Sequence, residues 1–222
     1  MARTSDPARF WDAIARKYAA DRIGDMAGYV RTVERTRQLL GSSDTVLEIG
    51  CGTGTTALKL APSLSRIVAT DVSTEMIAIA QDKARAQGCT NAVFTVADAT
   101  HVPGPDSAYD AVLAFNLLHL VADRSAALAH IHRVLKAGGL FISKTPCLAE
   151  MNPLLRLAVP LARFFGKAPF VSFFPADQLE REIADTGFTI VERARHGSGR
   201  KDPRIFIVAR KADAIHRHAM EG

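Results

Sequence analysis

Hydrophobic positions follow two different periods along the chain. Over residues 10–20 they fall at 10, 11, 14, 15, 18 and 19, the spacing of one helix face. A second helix is predicted over 29–40, stopping at Gly41. Short apolar runs predict strands over 45–49, 66–70, 92–96 and 109–115, the last nearly continuous, as in a strand buried on both faces. Helices are predicted between them over 53–60, ended by Pro62, and from the capping Ser73 to about Gln87, closed by Gly88. A helix over 124–135, ending at Gly138-Gly139, leads into a strand over 140–143. Such alternation needs crossover connections, so the expectation is an α/β fold with a mostly parallel sheet covered on both faces.

The pattern then changes. Residues 151–170 are apolar but interrupted by Pro153, Pro160 and Pro169, which predicts a broken segment. An amphipathic helix is predicted over 177–185, stopping at Gly187. Strands over 188–193 and 205–210 are joined by His196-Gly197-Ser198-Gly199, a connector that permits an antiparallel hairpin.

The first strand runs into Val46-Leu47-Glu48-Ile49-Gly50-Cys51-Gly52-Thr53-Gly54. Three glycines at every second position offer bare main chain to a ligand. Dinucleotide loops read G-x-G-x-x-G, and Thr55 stands where their third glycine belongs. Glu48 would repel a pyrophosphate and suits a ligand bearing an ammonium or sulfonium. Its other reading is a carboxylate bonded to the loop's own N–H groups. Asp71, 17 residues past Gly54 at the end of the second strand, is placed to accept from two ribose hydroxyls or to cap the helix that follows.

At these residues the chain resembles the class I S-adenosylmethionine-dependent methyltransferases, whose first motif has the form hydrophobic-E/D-hydrophobic-G-x-G-x-G. The resemblance implies a Rossmann-like three-layer sandwich with a seven-stranded, mostly parallel sheet and an antiparallel terminal hairpin. It implies S-adenosylmethionine as cofactor, S-adenosylhomocysteine as product, and no metal. The implied cofactor residues are Tyr18, Glu48, Gly50, Cys51, Gly52, Thr53, Gly54, Asp71, Val72, Met76, Asp98, Ala99, Asn116 and Leu117. Among them the turn after Gly50 takes the methionine carboxylate, Val72 and Met76 flank the adenine, Asp98 accepts from its amino group, and Asn116 helps to hold the ammonium. Phe10-Trp11-Asp12-x-x-Ala15-x-x-Tyr18 is similar to a cap helix whose Tyr closes over the cofactor, with Phe10 and Trp11 read as an ordinary apolar face. His119 reads either as a base near the acceptor or as a turn histidine bonded to backbone.

On this resemblance the chain divides into cap helices over 1–42, a cofactor core over 43–146, a substrate lid over 147–175, the end of the sheet over 176–211 and a tail over 212–222. The lid carries many bulky apolar groups, with Arg156, Arg163 and Lys167 at its edges. The acceptor is therefore expected to be a small hydrophobic or aromatic molecule, attacked at N, O or C. Peripheral membrane contact and a homodimer stay open. A non-catalytic cofactor-binding or nucleic-acid-associated protein and an NAD-dependent oxidoreductase are the alternatives.

The bulk numbers fit one domain. The 222 residues are 48% hydrophobic and 23% charged, enough for one sizeable core. No apolar run reaches the roughly 20 residues of a membrane span, and no signal segment is apparent. Three widely spaced cysteines form no disulfide framework, so a cytoplasmic setting is expected. The net charge is +5, and residues 193–218 hold eight Lys/Arg against Asp202 and Asp213. Without interleaved aromatics this reads as a solvated loop and tail, and nucleic acid is not expected as a partner.

Overall fold

The computed structural model describes residues 7–101, 103–151, 153–165, 168–199 and 202–213. The expected Lys167 and most of the expected tail lie outside them. Helices α1 (Pro7–Ala20) and α2 (Met26–Leu39) precede β1 (Thr45–Ile49), α3 (Thr55–Leu60), β2 (Arg66–Asp71), α4 (Thr74–Ala86), β3 (Ala92–Val96) and β4 (Tyr109–Phe115). Then come α5 (Arg124–Val134), β5 (Leu135–Pro146), α6 (Leu155–Phe164), α7 (Ala176–Asp185), β6 (Phe188–Ala194) and β7 (Arg204–Lys211).

The seven strands form one sheet in the order β3-β2-β1-β4-β5-β7-β6. The first five are parallel, and β7 runs antiparallel to both β5 and β6. The expected fold is therefore present. Side-chain alternation divides the core between two faces. Val46 and Leu113 pack with α3 and α4, whereas Leu47, Ile49, Val112 and Ala114 pack with α5 and α7. By the same alternation Glu48 falls on the α3 face.

Four local expectations change. Helix α2 begins before Gly28, because Asp25 caps it by accepting the Gly28 N–H at 2.9 Å. A Cβ at Gly28 would sit 2.8 Å from the His196 carbonyl, so glycine lets the hairpin loop approach the helix. Helix α3 starts two residues later than expected, at Thr55, and Pro62 does not end the coil but lies in a 3-10 turn over Ala61–Ser63 that continues it. Helix α5 stops at Val134 and β5 starts at once. Gly138, at φ +72°, absorbs a bulge in which Leu135 pairs with Tyr109 and Leu140 with Ala111. The lid segment is not broken at Pro160, which lies inside α6.

Described basic residues near the C-terminus are bound within the chain. Arg193 meets Glu180 at 2.6 Å, Arg195 meets Glu150 at 2.9 Å, and Arg204 meets Asp202 at 2.7 Å. Arg210 donates to the Gly138 carbonyl and Lys211 to those of His132 and Leu135. No described helix is long and apolar enough to cross a membrane.

Candidate active site

The strand order reverses direction between β1 and β4, which opens a crevice at the carboxyl ends of the strands. The glycine turn sits there, and its three glycines have different roles. Gly54, at φ +73°, is the N-cap of α3. A Cβ on it would lie 2.7 Å from the Phe94 ring and 2.8 Å from Ala80, so this glycine serves packing against α4 and β3. A Cβ on Gly50 would meet Leu117 at 2.7 Å, so glycine there admits the loop after β4. Only at Gly52, φ +53°, is the space open, with Tyr18 the nearest group at 3.6 Å. Gly52 is where main chain is presented bare.

Asp71 holds this turn to the next one. One carboxylate oxygen accepts the Gly52 N–H at 2.8 Å and the other accepts the Ser73 N–H at 3.0 Å. Ser73 caps α4 through the Met76 N–H. Asp12, on α1, accepts from the Ser73 hydroxyl at 2.6 Å and from the Glu75 N–H at 3.1 Å, which fastens the first helix to the start of α4. Sequence reading gave Asp12 no role. It stood only as a member of the Phe10-Trp11-Asp12 stretch of the cap helix.

A cavity of about 550 Å³ occupies the crevice, within the range of small-molecule sites. Of the expected residues, Tyr18, Gly50, Gly52, Asp71, Val72, Met76, Asp98, Ala99, Asn116 and Leu117 line it together. Asp98 is held by the Thr100 N–H at 2.7 Å and the Thr100 hydroxyl. Asn116 takes a left-handed conformation, φ +52°, an unusual backbone for a residue other than glycine. Its N–H donates to the Lys144 carbonyl at 2.7 Å. Phe10 and Trp11 also line the cavity, with Trp11 edge-on to Tyr18. Their apolar spacing is compatible with core or cavity, which is why the sequence did not single them out. Leu120, Val121, Arg163, Pro169 and Phe170 complete the far wall.

The remaining expected residues stand behind that surface. Cys51 is buried, and Thr53 is pinned by Lys83 Nζ, 2.8 Å from its hydroxyl. His119 is off the wall. Its carbonyl accepts the Ser172 N–H at 2.7 Å, and its buried Nδ1 has no hydrogen-bond partner among the described residues. Burial pushes its imidazole down to about 4, so it is neutral at physiological pH.

Glu48 is only 2% exposed and lies beneath the turn. Burial raises its carboxyl to about 8, opposed by a hydrogen bond from the Ala57 N–H in the first turn of α3. Its Oε2 has no partner among the described residues. Burial also raises the Tyr18 hydroxyl, reinforced by the Asp71 and Glu48 charges, and raises Asp71 itself. A turn of bare main chain and two acids, Asp71 and Asp98, line one cavity, with Glu48 beneath the turn, a set that suits a ligand joining an amino-acid group to a nucleoside. The residues therefore fit S-adenosylmethionine.

A family model described as "Methyltransferase domain" matches residues 46–139, spanning the glycine turn, Asp71, Asp98 and Asn116. Residues 46–139 thus carry a methyltransferase domain of the class I S-adenosylmethionine-dependent type. Among curated relatives it is 32% identical over 142 residues to the uncharacterized methyltransferase YcgJ of Bacillus subtilis, covering 60% of this chain and 56% of that one. It is 28% identical over 193 residues to a phosphatidylethanolamine N-methyltransferase of Cereibacter sphaeroides, covering 85% and 93%. The chain spans little more than half the length of the first curated relatives it matches. The crystal structure of YcgJ superposes with a TM-score of 0.69 at 18% identity, covering 83% of this chain and 99% of that one, which shows the shared fold.

Proposed function

We propose that this protein transfers a methyl group from S-adenosylmethionine to N, O or C of a small acceptor with an apolar body. The observation that carries the reading is the single cavity with two unlike walls. One is polar, built by Gly52, Asp71 and Asp98. The other is apolar, built by Phe10, Leu120, Val121 and Phe170. When bound, the cofactor supplies an electrophilic methyl group on a sulfonium.

On the polar wall, Gly52 lets the main chain close on the amino-acid end of the ligand. Asp71 retains lone pairs for two ribose hydroxyls while its other bonds hold the turn. Asp98 accepts from the adenine amino group, and Val72 and Met76 flank the base. Glu48 lies beneath the turn with an unpaired oxygen, where the ligand's positive charge favours its ionised form. Tyr18 and Trp11 of α1 cover the opening. In-line positioning in a closed apolar site supplies much of the rate for such a transfer. The neutral His119, set behind the wall, is not needed as a base.

The apolar wall argues for a hydrophobic acceptor. The relative covered over 93% of its length bears the name of a phospholipid-amine methyltransferase, which supports an amphiphilic one. Bound basic residues in the C-terminal hairpin leave little support for nucleic acid. The test is transfer of labelled methyl from S-adenosylmethionine into cell fractions. Label in organic-soluble small molecules is expected, and label only in protein or nucleic acid would overturn the acceptor class.

A further inference from the structure

Helix α6 turns the wrong face outward. Residues Leu154, Ala158, Leu161 and Phe165 follow the i, i+4, i+7, i+11 spacing of one stripe, with Phe164 beside it. All five are exposed, Phe164 at 83% and Leu154 at 67%. The half-buried residues Val159, Ala162 and Arg163 face the body instead. A surface helix of a water-soluble protein normally presents the opposite arrangement. Arg156, which is exposed, lies on the side of the helix opposite the apolar stripe, and the chain carries a net +5.

We infer that α6 docks this protein on the surface of an anionic phospholipid membrane, with its apolar stripe in the acyl boundary and Arg156 at the headgroups. An apolar face with a basic residue opposite it is the pattern of interfacial helices, which lie in the plane of the membrane. A second copy of the chain fits less well. The outward side chains offer on the order of 500 Å² by the usual area of aromatic and leucine groups, against about 800 Å² per partner in a stable complex. A ten-residue helix gives reversible binding rather than fixed anchoring. Arg163 and Phe170, stacked with the guanidinium 5.0 Å from the ring centre, also line the cavity. The docked helix therefore places the cavity mouth at the bilayer, and an apolar acceptor reaches it without crossing water. This last step rests on the function proposed above.

The test is co-sedimentation of the full chain with phosphatidylcholine vesicles, with or without phosphatidylglycerol. Binding is expected to be tighter with the anionic lipid and to weaken with salt. The double variant Phe164→Ser, Phe165→Ser should bind about tenfold or more weakly, and Arg156→Glu should lose mainly the anionic preference. Circular dichroism and calorimetric affinity for S-adenosylhomocysteine should stay unchanged in both. Absence of vesicle binding, or equal binding by the double variant, would overturn the proposal. So would a sedimentation-velocity dimer that the double variant converts to monomer, since it would assign the stripe to a second copy. Vesicle binding without any cofactor heat would leave the docking standing and remove only the methyl-transfer reading.

Discussion

On the glycine side of the cavity, polar groups are already bound to one another. Asp71 joins Gly52 to Ser73, Asp12 joins Ser73 and Glu75 to the first helix, and Lys83 holds Thr53. On the lid side, α6 lies against the body with its apolar stripe in solvent. One side is preorganised by bonds within the chain, whereas the lid turns its apolar stripe away from the body. On the function proposed above, a cofactor side held by internal bonds beside a less constrained acceptor side is an arrangement that lets one fold serve many acceptors.

The largest expected effect tests how rigid the first wall is. Gly54→Ala adds a methyl group against Phe94 and Ala80 at a left-handed backbone position. Overpacking and the conformational cost together predict a loss of about 2–5 kcal/mol in urea unfolding. An unchanged midpoint would mean that this turn can move.

Glu48 gives a pH signature. Its folded carboxyl titrates near 8 and its ordinary value is 4.5, so the folded protein holds the proton more tightly than the unfolded chain. Stability contributed by this group is therefore greatest below about pH 4.5 and falls as pH rises through 8, by an amount on the order of a few kcal/mol. Glu48→Gln should flatten that part of the stability profile. A cationic ligand favours the ionised carboxylate, so cofactor binding near pH 7 should release a proton. Calorimetry in two buffers of different ionisation heat reads that release directly.

Asp71→Ala removes two charge-assisted hydrogen bonds from the turn, as well as the group proposed for the ribose. A stability loss of about 1.5–3 kcal/mol is expected, together with weaker cofactor binding. A smaller effect belongs to His119→Asn. Because His119 stands off the cavity, kcat should change by less than about threefold, whereas loss of a general base costs 10²-fold or more.

The difference between the walls also explains what was legible in the chain. The period of the apolar runs and the VLEIGCGTG turn are local signals that pointed to the parallel sheet and the glycine turn, and the family resemblance added the other expected residues among the ten that line the cavity. The division of labour among the glycines was not legible, because it depends on Phe94, Ala80 and Leu117 arriving from distant segments. Glu48 is turned beneath α3 by strand alternation, a placement that the motif alone does not distinguish from a ligand contact. Asp12 acts across 61 residues of chain to reach Ser73, and no local pattern encodes that. The break expected at Pro160 gave way to a continuous α6 that carries Pro160 inside it.

On the function proposed above, bare main chain at Gly52 and the bound carboxylate of Asp71 form the seat of an S-adenosylmethionine-type ligand. Calorimetric titration with S-adenosylhomocysteine tests it most directly, using the wild-type chain and Gly52→Ala, whose added methyl group points into the cavity with only Tyr18 nearby. The expected result is saturable one-to-one binding in the wild type, weakened about tenfold or more in a folded variant. Intact wild-type protein that gives no heat with either that product or its methyl donor would contradict the account.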